Sequence, residues 1–234
     1  MMGPRFLPSV DAATGKEDRQ ARRRTETSAG IVRVKVCGIR RYEDAALAVQ
    51  LGAGALGFVF WPGSPRAIDA ETVRDITRRL PAFVDLIGVF VNQEPAAVRD
   101  IASRAGLTAI QLHGDEELAP FASLGLRIIK AVAVRERFTL DELPSSSGPA
   151  TLLLDAHDPL RRGGTGRTID WTTAAAIARD RPVILSGGLT PENVRRGIET
   201  VRPYAVDVSS GVEAPPGLKD EHRLRAFFEA VRPR

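Results

Sequence analysis

From residue 31 onward, short apolar runs alternate with stretches in which apolar residues recur at helical spacing. The runs are rich in Val, Ile and Leu and almost continuously apolar, which is typical of parallel strands buried on both faces. The predicted strands are Ile31–Cys37, Ala55–Phe60, Leu86–Val91, Ala109–Leu112, Arg127–Val132, Thr151–Asp155, Val183–Ser186 and Ala205–Val208. The predicted helices are Tyr42–Leu51, Ala70–Leu80, Pro95–Ala105, Glu116–Leu124, Trp171–Arg179, Pro191–Thr200 and Lys219–Val231, with a short one near Phe138–Leu143.

Capping residues support several of these helix boundaries. Side chains that can cap a helix N-terminus precede three of them, at Asp69, Asp170 and Thr190. Glycines that can adopt the left-handed conformation follow three helices, at Gly52, Gly106 and Gly125.

Eight strand–helix units in one chain predict an α/β fold of the (β/α)8 TIM barrel type. The alternative is a doubly wound open sheet, but the even spacing of the strands favours the closed barrel. We find no linker within residues 31–234, so they are expected to form a single catalytic domain. Residues 1–30 are rich in charge and lack apolar periodicity, and we expect a disordered N-terminal extension there.

Composition narrows the classes of function. The chain carries 33 Lys+Arg against 29 Asp+Glu, a mixed surface that argues against a nucleic-acid binder. No apolar run is long enough to span a bilayer, so no membrane partner is expected. The single cysteine excludes an internal disulfide and fits a reducing compartment, and we expect a cytoplasmic protein.

Polar residues and glycines gather after the strands, where the active sites of such barrels lie. Cys37 ends the first strand and could act as a base, although a lone cysteine is more often a small buried hydrophobe. Asp155 ends the sixth strand, where partial desolvation suits a general acid; a cap or salt bridge is the plainer interpretation. Arg66 is a candidate carboxylate clamp, and His113 and Asp207 are further candidates at strand ends.

Three glycine-containing loops complete the candidate site. The loops after strands seven and eight are the place where barrels often bind phosphate. They contain Gly187, Gly188, Ser209, Ser210 and Gly211. The segment Gly163, Gly164, Thr165 and Gly166 is a candidate lid, and it lacks the spacing of a nucleotide-binding loop. No set of His, Asp and Glu has metal-ligand spacing, so no metal site is predicted.

Taken in order, these segments resemble the phosphoribosylanthranilate isomerase family of tryptophan biosynthesis. The similar segments are Lys35–Ile39, Leu56–Phe60, Ser64–Arg66, Gly88–Asn92, Gln111–Gly114, Leu154–Ala156, Gly163–Gly166, Ser186–Asn193, Asp207–Glu213 and Lys219–Asp220. Each is weak alone, but together the segments follow one another in order over about residues 33–230. Residues 1–30 lie outside the resemblance, and Arg40-Arg41 and Ser186 depart modestly from the family pattern.

The resemblance implies a (β/α)8 barrel that performs an Amadori rearrangement without a metal or organic cofactor. The substrate would be N-(5-phosphoribosyl)anthranilate and the product 1-(2-carboxyphenylamino)-1-deoxyribulose 5-phosphate. By the same resemblance, Asp155 would be the general acid and Cys37 the general base, and Arg66 would hold the anthranilate carboxylate. His113 and Asp207 would line the pocket, and the backbone of loops seven and eight would hold the phosphate.

Three alternatives stay open at this point. A related sugar isomerase of histidine biosynthesis, or a dual-substrate enzyme, would carry a carboxylate where Cys37 stands. A synthase of indoleglycerol phosphate would need Lys and Glu at strand ends, and no matching Glu is present. A barrel kept only for binding would not need both Cys37 and Asp155. The sequence is compatible with a monomer or a homodimer.

Overall fold

The computed structural model describes residues 32–134, 138–139, 143–144, 150–156 and 169–233. The predicted extension at 1–30 and the predicted lid at 163–166 lie outside these residues. The strands are β1 Arg33–Cys37, β2 Ala55–Val59, β3 Asp85–Phe90, β4 Ala109–Leu112, β5 Arg127–Val134, β6 Ala150–Ala156, β7 Val183–Leu185 and β8 Ala205–Val208. The helices are α1 Tyr42–Leu51, α2 Ala70–Thr77, α3 Pro95–Ala105, α4 Ala119–Ala122, α5 Trp171–Asp180, α6 Val194–Val201 and α7 Glu221–Val231, with a 3-10 turn at Ser210–Val212.

All eight strands are parallel and form a closed barrel in sequence order. The barrel closes where β1, already paired with β2, also pairs with β8 through the register Lys35↔Asp207. This confirms the predicted (β/α)8 barrel and excludes the open doubly wound sheet. Because the strands are parallel, all their carboxyl ends open at one end of the barrel, as the site hypothesis requires.

Two apolar layers hold the barrel together. The larger one lies between the strands and the surrounding helices and includes Phe58, Phe90 and Phe227, all fully buried. The smaller one fills the barrel interior and consists of Ile87, Ala109, Ile129, Leu153, Ile184 and Ala205. Since side chains alternate along a strand, the residues two positions further on point into the same interior, nearer the carboxyl end.

Several predicted boundaries are confirmed by their caps. The Asp69 carboxylate accepts a hydrogen bond from the Thr72 amide, and Asp170 accepts from the amides of Thr172 and Thr173. Gly52 and Gly106 end α1 and α3 in the left-handed conformation that glycine adopts most readily.

Other boundaries differ from the prediction. The predicted helix Glu116–Leu124 shrinks to Ala119–Ala122, because the Glu116 carboxylate accepts hydrogen bonds from the amides of Asn92 and Gly114. Helix α6 begins at Val194 instead of Pro191; residues 191–193 form a turn, and the Asn193 side chain accepts a hydrogen bond from the Thr190 amide. Of the short helix expected near 138–143, residues 138, 139 and 143 are not helical, and 140–142 lie outside the described residues.

None of the helices within the described ranges is long and apolar enough to cross a membrane.

Truncating the interior layer tests this packing. We expect Leu153→Ala to lower the free energy of unfolding by about 2–5 kcal/mol, because Leu153 is fully buried and the change leaves a cavity. Urea unfolding followed by circular dichroism measures it. The same change at partly buried Leu126 is the control and should cost less. Equal losses at the two positions would contradict the assigned layer.

Candidate active site

A polar layer lies directly above the apolar interior layer. Each member comes two positions after an apolar residue of the interior layer, on β4, β6 and β8 or directly after β7. Lys35 and Cys37 of β1 share the same interior. The members of the polar layer are Gln111, Asp155, Ser186 and Asp207, all buried. Closure of the barrel thus brings side chains from five strands that lie far apart in the sequence into one layer.

Cys37 and Lys35 occupy the same face of β1. The Cys37 side chain packs over Gly57 of β2, where a Cβ atom would lie 2.7 Å from the sulfur. The Lys35 ammonium forms a buried ion pair with Asp207, with Nζ 2.9 Å from Oδ1, and its charge also acts on the Cys37 thiol. Ser186 donates to the second oxygen of Asp207 at 3.3 Å.

These contacts set the ionisation of the base candidate. Burial raises the pKa of the Cys37 thiol above its ordinary value, and the nearby Asp207 charge acts in the same direction. The positive charges of Lys35 and Lys219 oppose the shift without cancelling it. Burial also acts to lower the pKa of Lys35, but its pairing with Asp207 outweighs this and leaves the Lys35 pKa raised. The resting thiol therefore keeps its proton near neutrality, while the lysine stays charged.

Asp155 lies on β6 and meets a different set of partners. One carboxylate oxygen accepts from the Ala156 amide at 2.9 Å, and the other lies 3.2 Å from Nε2 of His113. The second ring nitrogen of His113, Nδ1, lies 2.8 Å from the side-chain amide of Gln111. The acid candidate is therefore linked through His113, directly after β4, to Gln111 of β4.

Arg66 reaches the site from the loop after β2. Its aliphatic stem lies against Gly38, whose positive φ and lack of a side chain make room for it. Its guanidinium forms a two-pronged ion pair with Glu213, with Nε and Nη2 at 2.9 and 2.7 Å from the two carboxylate oxygens. Glu213 also accepts from the buried Lys219, whose ammonium donates to the Cys37 carbonyl at 2.6 Å.

This second charged cluster ties loop eight to β1. Burial acts to raise the pKa of Glu213, but the hydrogen bonds and charges of Arg66 and Lys219 prevail and lower it. Burial lowers the pKa of Lys219, although Glu213 counteracts it. Glu213 is thus a carboxylate at neutral pH and holds the Arg66 fork in place.

The loops after β7 and β8 pack closely together. A Cβ atom on Gly211 would lie 1.9 Å from the Leu189 carbonyl oxygen, so only glycine fits there. Gly187 and Gly188 both have positive φ values, and Gly187 backs onto the Ala156 amide. The Ser209 hydroxyl is buried and has no hydrogen-bond partner within the described part of the chain. The two loops therefore present backbone and an unpaired hydroxyl beside each other.

The structure brings the predicted residues together at one end of the barrel: Cys37, Arg66, His113, Asp155, Gly187, Gly188, Asp207, Ser209, Ser210 and Gly211. The predicted lid residues, Gly163, Gly164, Thr165 and Gly166, lie outside the described residues. Sequence reasoning gave no role to Gln111, Glu213 or Lys219. Gln111 carried a usable signal, since it is a polar residue inside an otherwise apolar strand.

The fold and this arrangement are typical of a (β/α)8-barrel enzyme, with a buried thiol and a buried carboxyl group at the carboxyl end of the barrel. Comparison with known proteins identifies the family. The model of the N-(5'-phosphoribosyl)anthranilate (PRA) isomerase family matches residues 34–230. The N-(5'-phosphoribosyl)anthranilate isomerase of Geobacter sulfurreducens is 48% identical over 202 residues, covering 86% of this chain and 99% of the relative.

Two solved structures agree. A crystal structure of monomers generated from the dimeric phosphoribosylanthranilate isomerase of Thermotoga maritima matches with a TM-score of 0.73 at 40% identity, covering 86% of this chain and 98% of that one. A phosphoribosylanthranilate isomerase in complex with reduced 1-(o-carboxyphenylamino)-1-deoxyribulose 5-phosphate matches with a TM-score of 0.72 at 41% identity and the same coverage. The chain belongs to the phosphoribosylanthranilate isomerase family and is an isomerase.

The Glu213 cluster makes a prediction for stability. We expect Glu213→Gln to lower the free energy of unfolding by about 3–5 kcal/mol at neutral pH, because it leaves the buried Lys219 charge uncompensated. Glu213 has a lowered pKa in the folded protein, so its contribution is present above the unfolded value of about 4.3 and is lost as the pH falls.

Urea unfolding at several pH values measures this effect, and the gap between wild type and variant should narrow below about pH 4.3. Glu221→Gln is the control, since Glu221 forms an exposed ion pair with Arg225 whose loss should cost about 0.5 kcal/mol or less. A gap that stays constant with pH would contradict the assignment.

Proposed function

We propose that this protein catalyses the Amadori rearrangement of N-(5-phosphoribosyl)anthranilate to 1-(2-carboxyphenylamino)-1-deoxyribulose 5-phosphate in tryptophan biosynthesis. The observation that carries the proposal is the placement of Cys37 and Asp155 on β1 and β6, both buried in the interior layer at the carboxyl end of a closed barrel. The rearrangement transfers protons without net oxidation, so an acid and a base suffice, and we assign it no metal or organic cofactor.

Asp155 acts first, as the general acid. Its carboxyl proton passes to the ring oxygen of the ribose, the bond from that oxygen to C1′ breaks, and the nitrogen lone pair forms the C1′=N bond of a Schiff base. The developing Asp155 carboxylate is stabilised by hydrogen bonds from His113 and from the Ala156 amide. We therefore assign His113 a supporting role at the substrate pocket.

Cys37 then acts as the general base and removes the proton from C2′, giving an enolamine that tautomerises to the ketone. The reactive form is the thiolate, which burial disfavours. Lys35 and Lys219 supply the positive charge that opposes this effect, and Asp207 holds Lys35 beside the sulfur. Asp207 therefore contributes through Lys35.

Arg66 binds the anthranilate carboxylate in this proposal. Glu213 occupies the Nε and Nη2 donors, so we assign the Nη1 donors to the substrate. The Arg66 stem crosses Gly38, next to Cys37, which would bring the substrate's aromatic end close to the base. Glu213 keeps the guanidinium oriented while the substrate enters.

The phosphate would bind to the loops after β7 and β8. Glycines at 187, 188 and 211 let the backbone amides approach an anion, and the Ser209 hydroxyl offers a further donor. Ser210 begins the 3-10 turn of the same loop. We assign residues 163–166 to a lid over the substrate on the resemblance alone.

The proposed site consists of residues of one chain, so it does not need a second copy. We propose a monomer or a homodimer, the latter by analogy with the dimeric relative from Thermotoga maritima. A free, buried thiol at the reactive position suits a reducing compartment, and we propose the cytoplasm.

Removing either proton-transfer group tests the function. We expect Cys37→Ala and Asp155→Asn each to lower kcat about 10²–10⁴-fold with the fold intact, the range typical of one acid or base. The loss of substrate fluorescence with purified protein measures turnover, and Asp180→Asn, at an exposed carboxylate, is the control. Wild-type protein that converts only the histidine-pathway aminoaldose would overturn the proposal, as would near-normal turnover by either variant.

The charge of Lys35 has its own test. We expect Lys35→Met to raise the pKa of the Cys37 thiol further, because it removes a cation that favours the thiolate. Lys35→Arg keeps the charge and should shift the pKa less. Ultraviolet thiolate absorbance during a pH titration reports the ionisation, and Cys37 is the chain's single cysteine, so Cys37→Ala provides the blank.

In parallel, the pH at which kcat rises should move upward in Lys35→Met. Circular dichroism establishes that each variant is folded. A thiol pKa that is equal in wild type and folded Lys35→Met would refute the assignment.

A further inference from the structure

Three side chains form a hydrogen-bonded row across the interior, from β4 to β6. Gln111 begins the row and is 1% exposed, so it is set back from any substrate. Its amide nitrogen lies 2.8 Å from Nδ1 of His113, and Nε2 of the same ring lies 3.2 Å from Oδ2 of Asp155. The imidazole therefore bridges a buried amide and the proposed general acid.

The placement of the Gln111 amide favours one arrangement of the ring protons. Its nitrogen faces Nδ1 of His113, and because an amide nitrogen donates, Nδ1 accepts this hydrogen bond when the ring is in the Nε2–H tautomer. A neutral imidazole then holds its proton on Nε2, which points at Asp155. A protonated imidazole would place a hydrogen on Nδ1 against the Gln111 donor, so this contact disfavours the cation.

The other end of the Gln111 amide supports a role beyond packing. Its oxygen, Oε1, is buried and has no hydrogen-bond partner within the described residues. A buried amide oxygen that has no hydrogen-bond partner lowers the stability of the fold. Among the described residues, the contact between the Gln111 amide nitrogen and the His113 ring is the interaction that compensates this cost.

We propose that Gln111 is a positioning residue for acid catalysis, because it keeps His113 neutral and in the Nε2–H tautomer. This inference rests on the proposed function of Asp155. An imidazolium beside Asp155 would hold that group as a carboxylate before the substrate arrives, and no proton would remain for the ring oxygen. A neutral ring leaves Asp155 its proton and donates to the carboxylate that forms when the proton leaves.

The charged groups around this row do not replace Gln111. On neighbouring β5, Lys130 donates to the Gly114 carbonyl at 2.7 Å and pairs with Glu116 at 3.0 Å. On β1 and β8, Lys35 and Asp207 pair with each other. Among the described residues, Asp155 is the ionisable group that contacts His113 directly.

The first test is spectroscopic and needs no variant of Gln111. Nitrogen-15 NMR of the full-length protein at neutral pH should show an unprotonated Nδ1 and a protonated Nε2 for His113. The chain has three histidines, so the His113→Asn spectrum assigns the signals. A proton on Nδ1 in the wild-type protein would overturn the proposal.

The second test uses kinetics. We expect Gln111→Met, which keeps the volume and removes the donor, to lower kcat about 10–100-fold with little change in KM, as outer partners of functional histidines do. Gln111→Glu offers Nδ1 a carboxylate, which favours the imidazolium, and should lower kcat more. In that variant Nδ1 should carry a proton, and the pH dependence of kcat should change.

A double-mutant cycle separates positioning from structure. If Gln111 acts through His113, then Gln111→Met should have little further effect in the His113→Asn background. Equal losses in both backgrounds, or unchanged kcat in Gln111→Met, would overturn the proposal. The wild-type and Asp155→Asn assays distinguish the two proposals. An inactive wild type would refute the proposed function. An active wild type with unaffected Gln111 variants would refute only this inference.

Discussion

The barrel closes on a buried ion pair. Lys35 belongs to the first strand and Asp207 to the last, and the two meet only because β1 and β8 pair with each other in the register that sets them side by side. Moving either charge out of water costs several kcal/mol, so each requires the other. The bond from the Lys219 ammonium to the Cys37 carbonyl joins the same two ends of the chain. An open sheet would leave these charges without partners.

The same junction determines the chemistry of the thiol. Cys37 lies on β1 beside Lys35, so the cation that satisfies Asp207 also faces the sulfur. Burial and Asp207 act against the thiolate, whereas the two lysines favour it. The position of the base in the fold and its ionisation therefore follow from one contact, and a change in barrel closure would alter both.

Much of the fold and part of the candidate site were predictable from the sequence, because the signals for them lie in short local segments. Continuous apolar runs predict buried strands, and polar residues at their ends predict the site, so Cys37 and Asp155 could be found without a structure. The partners of Arg66 and His113 could not, because Glu213 and Gln111 become visible only when the register is known.

The proposed acid and base need opposite surroundings at the same pH, and the barrel places Asp155 and Cys37 on different strands. Near β1 and β8 the partners are fixed charges, and lysines favour the deprotonated thiol. Across the interior, Asp155 contacts the Ala156 amide and His113, which Gln111 contacts in turn, and these groups can donate hydrogen bonds to the carboxylate of the proposed acid. Lys130, the cation on neighbouring β5, is paired with Glu116. Separate partners thus give the proposed base and the proposed acid different surroundings within one layer of side chains.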